Sequence, residues 1–228
     1  MTAPHPAEPP LLVLLGPTAS GKESSAVHAA RLLDAEIVVA DSVKPYRGLG
    51  IAAAAPPPEH VALVPHHLVG VLDPRERLHA ARWVELAESA IADICARGRV
   101  PLLVGGTAYL KALLFGLFDG PERDDALRTR LRAEEEAAPG TLHARLARVD
   151  PEAAARIHAH DLKRLLRALE VHELTGRPIS EVQGQWADGP RLTYRAVGLR
   201  RVRDDLRARI EARIERMVAE GLVAEVAA

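Results

Sequence analysis

The chain has 228 residues, 48% of them hydrophobic and 27% charged, with a net charge of −1. That length accommodates one α/β domain with a sizeable core plus a smaller appendage, and the balance excludes disordered, collagen-like and fibrous classes. A single cysteine, Cys95, permits no intrachain disulfide and no cysteine-based zinc site, and 3% aromatic residues argue against an RNA-binding sheet built on stacked rings.

Residues 1–10 are proline-rich, lack Lys and Arg, and lead into an apolar run too short for a signal peptide or a membrane span, so a cytoplasmic protein without a membrane partner is expected. That run, Leu11-Leu12-Val13-Leu14-Leu15, reads as a buried parallel strand, and residues 22–33 read as a helix. Between them lies Gly16-Pro17-Thr18-Ala19-Ser20-Gly21-Lys22, a phosphate-binding loop. Its glycines let successive N–H groups turn into one concavity, the helix N-terminus adds partial positive charge, and Lys22 adds a full one. The bland alternative is a strand-helix turn with an incidental lysine. The expected ligand is a di- or triphosphate, held by Gly16, Thr18, Ala19, Ser20, Gly21, Lys22 and Ser24. Such loops place Ser or Thr after the lysine to coordinate magnesium, whereas this one has Glu23, with hydroxyls following at Ser24 and Ser25. Glu23 or Ser24 is therefore the candidate Mg²⁺ ligand, and a Glu23 carboxylate without a metal is expected to repel the phosphates.

Residues 35–40 read as a second buried strand that delivers Asp41 and Ser42 to the sheet edge where ligands bind in open α/β folds. Asp41 could serve there as metal ligand, general base or turn cap. Residues 43–48 form a loop, and the alanines and prolines of 52–58 a connector. Residues 64–69 suggest another strand, on which His66 and His67 point to opposite faces, one into the core and one to solvent. A helix is expected over 78–97, then a strand at 100–104 ending in Gly105-Gly106-Thr107, with Thr107 capping a helix that runs to Leu114. Repeated strand-helix units with Lys22, Asp41 and Thr107 at strand ends describe a doubly wound parallel sheet of the P-loop type.

Beyond Phe118 the pattern becomes helical, over 124–137, 141–148, from Asp150-Pro151 onward, and over 162–174 with Asp161 as cap. Residues 184–190 read as a loop and 192–200 as a strand returning to the sheet. Residues 203–220 form an amphipathic helix with Leu206, Ile210, Ile214, Met217 and Val218 on one side and Arg207, Arg209, Arg213 and Arg216 around it. The expected organisation is a first core segment, 1–118, a helical insertion, 119–190, and a completing strand and helix, 191–228. Residues 156–216 hold 14 Lys or Arg against 9 Asp or Glu, a surplus that favours an RNA partner.

Several blocks, in order and spacing, resemble the tRNA dimethylallyltransferase (tRNA isopentenyltransferase) family: the phosphate loop, Ala40-Asp41-Ser42 with Tyr46-Arg47-Gly48, Pro65-His66-His67-Leu68 with Leu72-Asp73-Pro74, Val104-Gly105-Gly106-Thr107, residues 150–158 from Asp150-Pro151-Glu152, and residues 164–170 from Arg164 to Glu170. The resemblance implies Mg²⁺-dependent transfer of a dimethylallyl group from dimethylallyl diphosphate to N6 of adenosine 37 in the tRNA anticodon stem-loop, by a monomer. It implies that Thr18 to Lys22 cradle the diphosphate with Arg213 as a further clamp, that Asp41 accepts the N6 proton, and that Thr107 orients the diphosphate. It further implies tRNA contacts from Ser42, Lys44, Tyr46, Arg47, Arg164 and Arg167, in a smaller, mainly helical RNA-binding portion. The chain departs from the family at Glu23, in place of Thr or Ser, at Lys44, where Gln is frequent, and by one residue missing after Thr107. It also ends before the family's last segment. Two other readings stand beside transfer: a small-molecule phosphate-loop kinase, and a tRNA-binding homologue with weakened catalysis.

Overall fold

Three largely apolar segments, 11–15, 35–40 and 100–105, pair side by side in one parallel sheet because they have side chains to bury on both faces, and two less buried strands flank them. The computed structural model describes residues 11–118, 120–184 and 189–228, apart from the side chain of Thr107. Its strands are β1 (Leu11–Leu15), β2 (Ala35–Ala40), β3 (His66–His67), β4 (Val100–Gly105) and β5 (Tyr194–Gly198), in spatial order β3-β2-β4-β1-β5. All six residues of β2 are buried, as a central strand covered on both faces requires. Leu15 lies opposite both Gly105 and Gly198, and Ala40 opposite Gly105, so β1, β2, β4 and β5 end level. The loops that follow these four strands therefore emerge along one edge.

Helices α1 (Lys22–Leu33), α2 (Pro58–Leu63), α3 (Ala80–Ala96) and α4 (Thr107–Phe115) connect the strands. Helix α3 buries Trp83, Val84, Ala87 and Ile94, and the Trp83 indole donates to the Val39 carbonyl at 3.2 Å, pinning the helix to the central strand. Residues 58–63, which follow the expected connector, are helical, since Pro58 at the first helical position sacrifices no needed hydrogen bond. One local expectation is corrected. The strand expected over 64–69 shrinks to two residues, because Pro65 lacks a donor and Leu68 turns left-handed at φ 63°. Its histidines do not divide into core and surface: both are half-buried, with His67 Nε2 2.6 Å from Glu36 and His66 Nδ1 2.8 Å from the Val64 carbonyl.

Residues 116–189 form a separate compact unit, built of α5 (Asp125–Ala137), α6 (Thr141–Val149), α7 (Pro151–Arg156), α8 (Leu162–Thr175) and α9 (Ile179–Val182). Asp124, Asp150 and Asp161 cap α5, α7 and α8 through their carboxylates, the role expected from the sequence for Asp161. Leu127, Leu131, Leu142, Leu146, Leu165 and Leu169 make its core, within which Glu170 is fully buried. The chain continues in the sheet unit with β5, α10 (Arg203–Ala219) and α11 (Leu222–Ala227). Here the amphipathic expectation holds in part, with Leu206, Ile210 and Met217 half-buried. No residue of α10 is buried, and Ile214 and Val218 are 52% and 54% exposed. The helix lines the cavity at the sheet edge with Arg209, Arg213 and Arg216, and Arg213 falls on the same half-buried stripe as Leu206, Ile210 and Met217. Among the described residues no helix is long and apolar enough to cross a membrane.

Candidate active site

The loop between β1 and α1 curls because Ala19 and Gly21 both take positive φ, 61° and 89°, and the Ser20 amide closes a turn onto the Pro17 carbonyl at 3.2 Å. Lys22 Nζ folds back over the turn to donate to the same carbonyl at 3.2 Å. Arg201, three residues beyond β5, donates through Nε to the Ser20 carbonyl at 2.7 Å and through Nη1 to Asp205 Oδ2 at 2.8 Å. It braces the loop from outside. The Ser20 hydroxyl is buried with no hydrogen-bond partner among the described residues, a donor held in reserve at the loop.

At the end of β2, Asp41 Oδ1 accepts the amides of Val43 at 2.8 Å and Lys44 at 3.1 Å. This is the turn-capping role, and it also aims the carboxylate over the sheet edge. Gly105, at the end of β4, admits nothing larger: an added Cβ would stand 2.1 Å from the Ala40 carbonyl oxygen. Thr107 is the first residue of α4; its side chain, and so its expected contact with the diphosphate, lies outside the described residues.

Two cavities open on this edge. One, of about 330 Å³, lies over the phosphate loop and is lined by Lys22, Glu23, Lys44, Arg209, Arg213 and Arg216 among others. The other, of about 750 Å³, is lined by Gly16, Pro17, Ser42, Tyr109 and Leu199. They share Thr18, Lys22, Ala40, Asp41 and Gly105 as common wall. Tyr109 stacks on Trp83 with ring centroids 5.1 Å apart, and burial, with Tyr46 and Asp41 nearby, raises its phenol above the usual range.

The first cavity is a concentration of positive charge. Burial lowers the pKa of Lys22, with Arg213 adding to the effect and Asp41 opposing it. Burial, Arg213 and Lys22 together draw Lys44 far below the usual lysine value, to about 7. The Glu23 carboxylate, in an ion pair with the Lys44 ammonium, acts in the other direction. Lys22, Lys44 and Arg213, clustered in one cavity wall, make a receptor for a multiply charged anion.

The residues expected to hold magnesium do not fit that ion. Glu23 is engaged with Lys44, so the position of the usual hydroxyl carries an already neutralised carboxylate. Ser24 is exposed and its Oγ donates to the Gly21 carbonyl at 3.0 Å. The expected repulsion of phosphate by Glu23 is corrected by its contact with Lys44.

The remaining candidates divide. Ser42 lines the second cavity, and Lys44 belongs to the first cavity. Tyr46 and Arg47 are loop struts: the Tyr46 hydroxyl accepts the Leu78 amide at 2.9 Å and Arg47 donates to the Val71 carbonyl at 3.1 Å. In the helical unit, Arg167 is drawn inward by Glu170 at 2.7 Å and the Pro121 carbonyl at 3.0 Å, with its guanidinium over Phe118. Arg164 also has an acidic partner, Asp161, but its side chain is 72% exposed. Of the pair, Arg164 presents more of its side chain to solvent, 72% against 28% for Arg167. Two contributions to the site were not expected from the sequence: Arg201, which no motif marks, and Arg209 with Arg216, whose spacing places them on the helix face of Arg213 without pointing to a ligand.

A model of the IPP transferase family matches residues 44–228. The chain belongs to the IPP transferase family. The match begins at Lys44, after the phosphate loop, but similarity to whole members includes the loop. A tRNA dimethylallyltransferase of Thioalkalivibrio sulfidiphilus is 50% identical across 98% of this chain and 71% of its own length. The crystal structure of the full-length tRNA isopentenylpyrophosphate transferase of Bacillus halodurans superposes with a TM-score of 0.62 at 38% identity, over 96% of this chain and 69% of that one. A eukaryotic dimethylallyltransferase acting on tRNA gives a TM-score of 0.71 at 25% identity, over 96% of this chain and 55% of that one. Membership of the IPP transferase family sets aside the small-molecule kinase reading.

Proposed function

We propose that this chain transfers a dimethylallyl group from dimethylallyl diphosphate to N6 of adenosine 37 in a tRNA anticodon loop. The observation that carries the reading is Asp41 and Lys22 in the wall common to a cationic cavity and an aromatic-sided one. The diphosphate occupies the first, against the loop amides, Lys22 and Arg213. The allylic C–O bond breaks and its electron pair leaves on the diphosphate, whose growing charge these cations meet; N6 bonds to the freed carbon and gives its proton to Asp41. Tyr109, fixed by Trp83, offers the second cavity a ring face for the unstacked base. In the helical unit, a shallow basic depression formed by Arg128, Lys163, Arg164 and Arg167 around Asp161 suits RNA phosphates, with Arg164 the exposed contact.

The test is mass spectrometry of nucleosides from unmodified tRNA incubated with the protein and dimethylallyl diphosphate. Adenosine carrying one dimethylallyl group next to the anticodon is expected, with one diphosphate released per transfer. If tRNA is bound but no nucleoside gains mass, the chain is an RNA-binding homologue instead.

A further inference from the structure

Two residues that depart from the family pattern, Glu23 in the first turn of α1 and Lys44 in the loop after β2, are in contact with each other as an ion pair. Lys44 is buried, and lines the same cavity as Lys22 and Arg213. A buried ammonium needs a partner, and Glu23 supplies it. We propose that this pair takes the place of the divalent ion: the Lys44 ammonium, anchored by Glu23, is itself the cation that meets the diphosphate, which this chain binds without metal.

The proposal rests on the reading of the cavity as a diphosphate site. An ammonium carries three donors; one directed at Glu23 leaves two for phosphate oxygens, so it can bridge protein and ligand as a metal bridges a loop hydroxyl and a phosphate. Paired with Glu23, it delivers donors but no net charge where magnesium delivers two positive charges. Arg209 and Arg216, on the same face of α10 as Arg213, lie along the cavity wall to supply the difference. A divalent ion entering here would also meet the ammonium at close range, a repulsion that an arrangement of Thr and Gln does not impose. The lowered proton affinity of Lys44, caused by burial, Arg213 and Lys22, reports the same crowding of positive charge that an arriving anion relieves.

Calorimetric titration of the full chain with dimethylallyl diphosphate, in EDTA and in excess magnesium, tests this. Wild-type protein is expected to bind in both, with dissociation constants within about threefold, whereas Glu23→Thr/Lys44→Gln is expected to bind at least about tenfold more weakly in EDTA and to recover with magnesium. Wild-type binding that appears only with magnesium overturns the inference and leaves the transfer reading intact. Absence of binding in both buffers overturns both. A double variant as metal-independent as wild type also overturns it, and should that variant fail to fold, the wild-type comparison alone decides.

Discussion

Glu170 is the buried charge on which the helical unit is built, and replacing it with glutamine isolates the worth of that charge. Its side chain is wholly inside; Arg128 binds both of its oxygens at 2.7 Å, Arg167 binds one at 2.7 Å, and the Asp124 amide donates at 2.9 Å. Burial by itself would raise the carboxyl's pKa, but these donors outweigh it and hold the group at about 2, against a usual 4.5. At about 1.4 kcal/mol per pH unit, that difference makes the ionised carboxylate worth about 3 kcal/mol to the folded state at neutral pH. The sign follows from the depressed value: the contribution is complete above about 4.5 and disappears as pH falls toward 2. Glu170→Gln keeps the shape, removes the charge and leaves two arginines facing an amide, so it should cost about 3 kcal/mol at pH 7. Urea unfolding of wild type and variant, followed by far-ultraviolet circular dichroism at pH 7, 5 and 3.5, measures the gap. It should be widest at pH 7 and narrow on acidification. A gap under about 1 kcal/mol at pH 7, or one that does not change with pH, would refute the assignment of this network as the unit's electrostatic centre.

Asp41→Asn should lower the transfer rate by about 10² to 10⁴ while tRNA affinity stays near wild type, in single-turnover kinetics paired with filter binding; an unchanged rate returns Asp41 to a purely capping role. Gly105→Ala forces a methyl onto the Ala40 carbonyl, a backbone atom that cannot rotate away, and should cost about 3 kcal/mol in thermal unfolding. Arg164→Ala should weaken tRNA binding and flatten its salt dependence by about one phosphate contact. Arg167→Ala should instead lower the stability of the helical unit, by about 3 kcal/mol, because it strips Glu170 of a partner. Equal effects of the two arginine variants on the salt slope would count against this division.

The legible part of the chain is the part where one local rule decides the outcome. Short, mainly apolar runs bounded by turn-forming residues define β1, β2 and β4, and the glycine-lysine turn after β1 identifies the phosphate loop. Asp124, Asp150 and Asp161 mark helix starts because a short carboxylate before an apolar period has one favourable use. Legibility ends where two rules compete. On α10 apolar residues and arginines have overlapping helical spacings, and the half-buried face mixes the two, Leu206, Ile210 and Met217 with Arg213. Arg167 and Arg164 are three residues apart and chemically identical, yet Glu170 turns one into core support and leaves the other at the surface. Arg201 reaches the loop only because β5 pairs with β1 in a register that sets Gly198 beside Leu15, a long-range fact with no local signature.

The same limit explains why the phosphate loop looked damaged in isolation. A carboxylate in place of a hydroxyl adds a negative charge to a phosphate site, and a unit charge about 5 Å from another, at an effective dielectric of about 20, is worth about 3 kcal/mol. Lys44 alone would be equally costly in the other sense, as a buried ammonium beside Lys22 and Arg213. In contact, the two changes cancel: replacing a neutral pair by Glu23 and Lys44 leaves the formal charge of the cavity unaltered while placing an ammonium in its wall. Reversion of either residue alone therefore leaves an unpaired charge in the wall, and reversion of both does not. The two positions are energetically one, and an inference of lost activity drawn from Glu23 alone counts half of an exchange.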